Sequence, residues 1–165
     1  MRYVLIVSLI VLSHLNPSAA RAGRGEDRES LRRLPGVEVI VETFLSEEEA
    51  AGFSRDAIRT GVELVLQSNG VRILSGSERL QTPSAPFLYV KVNPLKHSSG
   101  ETYCLAIEVE LHQVVSLMNR PEQRISARTW NRVQVAMIGE QITGRVAELV
   151  DPLIKQFAND FLTVN

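Results

Sequence analysis

One feature of the sequence constrains the fold more than any other: large apolar residues alternate with small or polar ones from Leu105 to His112, within the segment from Tyr103 to Val115. Successive side chains of a β-strand point to opposite faces, so this strand has one core face and one wet face. The core face needs a second layer of structure to cover it. The apolar positions are Leu105, Ile107, Val109 and Leu111, against Ala106, Glu108, Glu110 and His112.

Four other segments have the β-branched and aromatic composition of strands. They are residues 37–44, 71–74, 87–92 and 125–138. Short turns connect the last two of these to the 103–115 strand, which predicts an antiparallel meander. In the 125–138 strand, regular alternation predicts one shared face for Thr129, Val133, Val135 and Met137.

Two amphipathic helices supply the second layer. The first follows an N-cap at Ser54 and ends at Asn69-Gly70, with an apolar stripe at helical spacing. The second spans about residues 139–162, and Pro152 predicts a kink or break within it. A brief helix capped by Ser46 is expected before the first of them.

These elements predict an α+β fold. The sheet is expected to be mixed and largely antiparallel, with about five strands and both main helices packed on one face. A helix crosses between the first two strands, which predicts that they run parallel.

The first 22 residues have the order of a secretory signal. Arg2 precedes an apolar run from Val4 to Leu12, and Ala20-Arg21-Ala22 fits a signal-peptidase site. The alternative is a membrane anchor, but the apolar run is about half of the roughly 20 residues needed to span a bilayer. We therefore expect cleavage after Ala22 and an exported protein, periplasmic or secreted, with no membrane span after cleavage.

Beyond the cleavage site, the polar and charged residues 23–36 are expected to form a flexible leader, and residues 37–165 a single domain. Loss of Arg2 and Arg21 reduces 18 basic residues to 16, against 19 acidic ones, a formal charge of −3. A balance of this sign argues against a nucleic-acid partner.

Cys104 is the only cysteine of the sequence, so no internal disulfide can form. We expect Cys104 to be buried as a small hydrophobe, with pairing between two chains as the alternative. The domain is expected to fold as a monomer held together by packing alone, without a disulfide or a metal.

Five stretches of the chain resemble a group of exported bacterial proteins with no assigned function. The likeness runs from Leu34 to the end and implies an exported protein, but no activity. In element order alone, the chain is also similar to small periplasmic domains of envelope assembly, such as the amino-terminal domain of the Tol-system propeller protein and the lipoprotein partner of lipopolysaccharide export. The stretches are Val62-Glu63-Leu64, Asn69-Gly70-Val71, Ala85-Pro86-Phe87-Leu88-Tyr89-Val90, Glu108-Val109-Glu110-Leu111 and Ala127-Arg128-Thr129-Trp130.

Glu108, Glu110 and His112 form the first candidate site, because alternate residues of a strand point the same way. Two carboxylates and an imidazole could hold a metal. They could equally be the solvated face of an antiparallel strand. A zinc site wants more cysteine or histidine ligands than the sequence offers here, so we expect no metal.

Arg128, Trp130 and Arg132 form the second candidate site, since a regular strand would place them on one face. Arginine stacked on an indole is a common recognition surface. The alternative, which we favour, is that Trp130 packs under a helix while the arginine stems cover its edge.

The sequence contains no Gly-x-Ser-x-Gly or Ser-x-x-Lys motif and no nucleotide-binding glycine loop, so we assign no catalytic residue and no cofactor. The expected function is a non-catalytic exported binding or envelope-associated module, whose partner is an envelope protein or a small apolar ligand. The alternatives are a small apolar ligand carrier and an enzyme whose residues converge from separate elements. A flat apolar patch or an exposed sheet edge would favour the binding module. A cavity between helices and sheet would favour the carrier, and a deep pocket lined by carboxylates of shifted pKa would favour the enzyme.

Overall fold

A computed structural model describes residues 25, 27–98 and 100–165, so the predicted signal segment at residues 1–22 lies outside the described residues. One sheet has the strand order β1-β2-β3-β4. β1 runs parallel to β2, while β2, β3 and β4 form an antiparallel meander. This confirms the mixed, largely antiparallel sheet. The strands are β1 (Glu38–Val41), β2 (Phe87–Lys96), β3 (Thr102–Leu117) and β4 (Arg120–Gly139).

The described sheet has four strands, one fewer than about five. Residues 71–74, predicted as a strand, contribute only a single parallel bridge between Val37 and Ile73. The chain cannot continue along β1 because a helix begins at Gly76. At Gly36, φ is +149°, and the carbonyl of Arg72 approaches so closely that a Cβ would collide with it.

Two main helices pack on one face of the sheet, as predicted. They are α2 (Arg55–Ser68) and α4 (Val146–Val164), each with a buried apolar stripe. The hydroxyl of Ser54 caps α2, accepting a hydrogen bond from the N–H of Ala57 at 3.2 Å. Between the helices and the sheet lies one core cluster. Its fully buried members include Leu66, Leu105, Ile107, Val109, Leu111, Ile154 and Phe157.

Two short helices differ from the prediction. The first, α1 (Ser46–Ala50), is capped by Leu45 and not by Ser46, because the Leu45 N–H donates to Glu48 Oε2 at 2.7 Å. The second, α3 (Gly76–Gln81), lies in a segment whose serine and proline content predicts a loop. Its start is a capping box in which Ser75 and Glu78 bond each other's backbone N–H.

The carboxy-terminal helix begins later than residue 139. A 3-10 helix (Glu140–Arg145) precedes α4, and Thr143 Oγ1 fixes it by donating to the carbonyl of Ala51 at 2.6 Å. α4 then continues through Pro152 without dividing into two helices. The break in the helical path therefore lies at the junction of the 3-10 helix and α4, not at the proline.

The described part of the predicted leader, residues 27–36, is packed against the domain. Leu31 is fully buried and Leu34 nearly so. Arg28 forms an ion pair with Asp160 of α4 at 3.0 Å. The prediction of a flexible leader is therefore wrong for residues 27–36. Charged residues outnumber apolar ones in this segment, but Leu31 and Leu34 are buried and anchor it in the core.

In the part of the chain that the structure describes, no helix has both the length and the apolar character to cross a membrane.

Candidate functional site

The helices cover one face of the sheet, and the other face, called here the outer face, carries the candidate site. The pairing register places side chains of β2, β3 and β4 in rows across the outer face. Three adjacent rows carry the most exposed apolar side chains of β2 and β4 on this face. They are Leu95–Cys104–Met137, Asn93–Ala106–Val135 and Lys91–Glu108–Val133.

Four apolar side chains on these rows are exposed to solvent. The exposed fractions are 71% for Leu95, 57% for Val133, 68% for Val135 and 72% for Met137. We call these four residues the outer apolar patch. They lie on adjacent rows of one surface, whereas exposed apolar residues of a soluble protein are usually scattered singly.

Cys104 lies within the same surface, between Leu95 and Met137. It is half-buried rather than buried as predicted. The reason is the alternation of β3, because even-numbered residues of this strand point away from the helices.

A polar cluster occupies the other end of the outer face. Glu110 Oε2 lies 2.8 Å from His112 Nε2, and Arg128 donates to Glu110 Oε1 at 2.6 Å. Burial alone would raise the pKa of Glu110, but the hydrogen bonds from Arg128 and His112 outweigh it and lower this pKa. Glu110 is therefore a carboxylate whose charge is already compensated.

Aromatic rings hold the polar cluster in place. Phe87 stacks on the His112 ring with 5.0 Å between centroids and 12° between planes. The Tyr89 ring meets His112 edge-on at 6.2 Å. Burial and a hydrogen bond to Glu42 raise the pKa of Tyr89. The cluster is thus a fixed arrangement on the sheet, and its imidazole is held from two sides.

The structure does bring Glu108, Glu110 and His112 to one face, as the alternation predicts. Among the described residues, however, no group of three or more His, Cys, Asp or Glu side chains is placed to hold a metal ion. Glu110 instead bonds to Arg128 and His112. The geometry supports a salt-bridged sheet surface at these positions.

The second candidate group is divided by a β-bulge. The register shifts between Leu111, which pairs with Trp130, and His112, which pairs with Arg128. A one-residue shift moves a side chain to the opposite face, so Arg128 joins the outer face while Trp130 faces the helices. The expectation of one shared face for Arg128, Trp130 and Arg132 is therefore wrong.

Trp130 is a core residue with a polar anchor that sequence reasoning missed. Its indole is 1% exposed and donates from Nε1 to Asp160 Oδ2 at 3.0 Å. Arg132 donates to the same carboxylate oxygen at 2.9 Å, and its guanidinium lies 4.6 Å from the indole centroid. Trp130 is thus packed in the core and the side chain of Arg132 covers its indole, as the favoured alternative from the sequence predicted for these two residues.

The edge of β4 borders the outer apolar patch. The Val90 carbonyl of β2 accepts from the Glu42 N–H, which fixes the alternation of hydrogen-bonded pairs across the sheet. Even-numbered residues of the 130–136 segment therefore direct their backbone N–H and C=O groups to β3, and odd-numbered residues direct theirs to the free edge. Side chains cover the start of this edge: Ser30 Oγ donates to the Thr129 carbonyl, and Arg132 to the Asn131 carbonyl. Beyond Asn131, no described residue bonds to the edge-facing groups of Val133, Val135 and Met137.

Two surface clefts were candidates for an enzyme site or a ligand cavity. A cleft of about 500 Å³ lies beside the start of α2, and one of about 590 Å³ lies between α1 and the ends of β2 and β3. Neither cleft lies between the two main helices, α2 and α4, and the sheet, where a carrier would need its cavity. Among the described residues, the carboxylates with lowered pKa are Glu29, Glu78, Glu110 and Glu148, and none lines either cleft.

No protein-family model matches the sequence, and no curated protein matches it. Among solved structures, the chain is similar to a PelC dodecamer from Paraburkholderia phytofirmans, with 14% identity, a TM-score of 0.40, and coverage of 79% of this chain and 92% of that chain. It is also similar to the rare lipoprotein B from Shewanella oneidensis, with 15% identity, a TM-score of 0.32, and coverage of 78% and 91%. At this level of similarity, neither protein indicates what this chain binds.

Proposed function

We propose that this chain is a non-catalytic, exported binding module that docks a partner protein on the outer face of its sheet. The observation that carries the proposal is the outer apolar patch, with Leu95, Val133, Val135 and Met137 exposed on adjacent rows. Contiguous exposed apolar surface of this kind is typical of interaction sites. Export is supported by the signal pattern of residues 1–22.

The surroundings of the patch fit a protein interface. An apolar centre with charged residues at its border is the usual anatomy of such surfaces. Here Lys91 and Glu108 lie on the last row of the patch, and the Glu110–Arg128 ion pair lies beyond it. Because Glu110 is already paired in the free protein, its charge needs no compensation from a partner.

The experiment is a capture assay with the purified protein on a solid support and envelope extract in solution. We compare the unchanged protein with Leu95→Lys and Met137→Lys, singly and together. A lysine at either position places a charge within the outer apolar patch, and we expect capture to fall by at least about tenfold in the double variant.

Leu64→Lys is the matched control. Leu64 is 61% exposed, comparable to Leu95, but lies on α2, which packs on the opposite face of the sheet. Capture by this control should equal that of the unchanged protein. If all variants capture the same proteins equally, or if the unchanged protein captures none, the outer face is not a docking surface and the proposal is refuted.

A further inference from the structure

We infer that the free edge of β4 pairs with the same edge of a second copy of this chain, joining two sheets into one. The inference rests on the proposed function, because the edge borders the outer apolar patch and pairing at this edge joins the patches of two copies into one larger docking surface. It starts from a contrast between the two edges of the sheet.

The edge at β1 is closed. Arg55 Nε donates to the carbonyl of Val41 at 3.0 Å. At the other end, Val37 exchanges backbone hydrogen bonds with Arg72 at 3.0 Å and Leu74 at 2.8 Å. β1 has four residues, so these contacts leave little of its outer edge for another strand.

The edge at β4 is protected along only part of its length. Its first half carries proline and charged residues, which discourage pairing with another strand: Pro121, Glu122, Arg124 and Arg128. The stretch from Val133 to Met137 has no proline and no charge. The edge-facing groups of Val133, Val135 and Met137 receive no bond from a described residue. This is the part of the edge that a strand can join.

The available stretch is symmetric about Val135. At one end, the Asn131 carbonyl is taken by the Arg132 guanidinium at 2.6 Å. At the other end, the strand stops at Gly139. Both limits lie four residues from Val135. A two-fold antiparallel pairing centred on Val135 therefore uses the whole open stretch of both copies, and a C2 contact presents the same surface twice.

This register matches the side chains. Val135 lies opposite its own copy, and Val133 lies opposite Met137 of the second copy, so apolar meets apolar on the outer face. Arg132 falls opposite Ile138 of the second copy, and its charge is already paired with Asp160. Moving the centre to Val133 would bring the covered carbonyls of Thr129 and Asn131 into the pairing. The centre at Val135 is thus the register that avoids the covered carbonyls and uses the whole open stretch up to Gly139.

The contact is expected to be reversible. A few residues of edge pairing bury less than the roughly 1,000 Å² typical of a stable interface, although the two apolar patches become continuous across it. We therefore expect dimers with a Kd on the order of micromolar rather than nanomolar. This revises the expectation of a monomer drawn from the sequence.

The first test is sedimentation equilibrium of the purified protein combined with cysteine cross-linking. In a Cys104→Ser background, Val135→Cys should form disulfide-linked dimers under mild oxidation, since directly paired residues lie about 5.5 Å apart. Val133→Cys alone should not, because its own copy would lie about 13 Å away. Adding Met137→Cys to Val133→Cys should restore cross-linking.

The second test removes the edge bond without disturbing the fold. Val135→Pro deletes one N–H that points away from β3, so the β3–β4 pairing keeps its hydrogen bonds. We expect this variant to be monomeric, while the control Val135→Thr dimerises within about threefold of the unchanged protein.

A monomer at every concentration up to about 1 mM, or equal cross-linking by Val133→Cys and Val135→Cys, would overturn the inference. The Leu95→Lys capture assay is independent, because Leu95 lies on β2 and not on the edge. Patch-dependent capture by a monomeric protein refutes the dimer alone. A dimer without patch-dependent capture refutes the docking proposal.

Discussion

The carboxylate of Asp160 connects three parts of the fold, and its removal is the sharpest test of the packing described above. It accepts hydrogen bonds from Trp130 Nε1 at 3.0 Å, from Arg132 at 2.9 Å and from Arg28 Nε at 3.1 Å. The Asp160 side chain is 8% exposed and that of Arg132 is 14% exposed, so solvent screens their attraction weakly. Arg28 is 42% exposed and contributes less.

We predict that Asp160→Ala lowers the free energy of unfolding by about 3–5 kcal/mol, the usual cost of leaving one partner of a buried ion pair unpaired. The stranded indole N–H alone accounts for about 1–3 kcal/mol of this. Urea melts followed by far-ultraviolet circular dichroism measure the change. The neighbouring Asn159→Ala is the control, because Asn159 is exposed and should change stability by less than about 0.5 kcal/mol.

A double-mutant cycle separates the Trp130–Asp160 hydrogen bond from the loss of packing. Trp130→Phe removes the indole N–H and, in the Asp160→Ala background, should cost less than it does alone, with a coupling of about 0.5–3 kcal/mol. Equal and small losses for Asp160→Ala and Asn159→Ala would mean that the Trp130–Asp160–Arg132 contacts do not hold α4 on the sheet. The account of Trp130 as a core anchor would then be wrong.

Two further predictions concern the core and the outer face. Phe157 is fully buried and meets the Trp130 ring edge-on at 5.0 Å, so Phe157→Ala should cost about 3–5 kcal/mol, against less than about 0.5 kcal/mol for exposed Lys155→Ala, in the same urea melts. Glu110 has a lowered pKa in the folded protein, so its ionised form stabilises the fold above the unfolded pKa of about 4.3, and this stability is lost as pH falls through the folded pKa. The stability difference between the unchanged protein and Glu110→Gln should therefore be largest near neutral pH and shrink below about pH 4.3; a difference that stays constant on acidification would contradict the pairing with Arg128.

The parts of the fold that depend on local pattern were predictable from the sequence. Alternation at residues 103–115 gave the core and outer faces of β3, and Ser54 gave the start of α2. The sequence also contains the capping box Ser75-x-x-Glu78, which predicts the start of α3. The serine and proline content around it, however, favoured a loop.

Other parts depend on contacts between residues far apart in the chain. The residues of the Arg28–Asp160 ion pair are 132 positions apart, and no local pattern near Arg28 predicts the contact. Leu31 and Leu34 lie among charged residues, so composition alone made their segment look like a leader. Local sequence patterns indicate secondary-structure propensity. The burial of this segment depends instead on its tertiary contacts with α4 and the sheet.

The sequence could not show which face of β4 packs against the core, because both alternating sets of residues include apolar side chains. Trp130 and Ile138 occupy even positions, and Val133, Val135 and Met137 occupy odd ones. A regular strand would have placed Arg128 with Trp130. The bulge at this point adds one residue to β4, and no local feature of the sequence marks it.

The odd-numbered apolar residues of β4 contribute little to the stability of the fold. Folding buries Trp130 and Ile138, yet leaves Val133, Val135 and Met137 more than half exposed. An apolar side chain of this size stabilises a protein by about 1.5–3 kcal/mol only when it is fully buried, so these three contribute a small part of that to the free energy of folding. Threonine has a similar preference for strands and would serve the fold equally well at Val133 and Val135. Under the proposed function, the apolar character of this surface would gain its free energy from burial against a partner, and the open β4 edge beside it would supply the backbone hydrogen bonds of the proposed pairing between two copies.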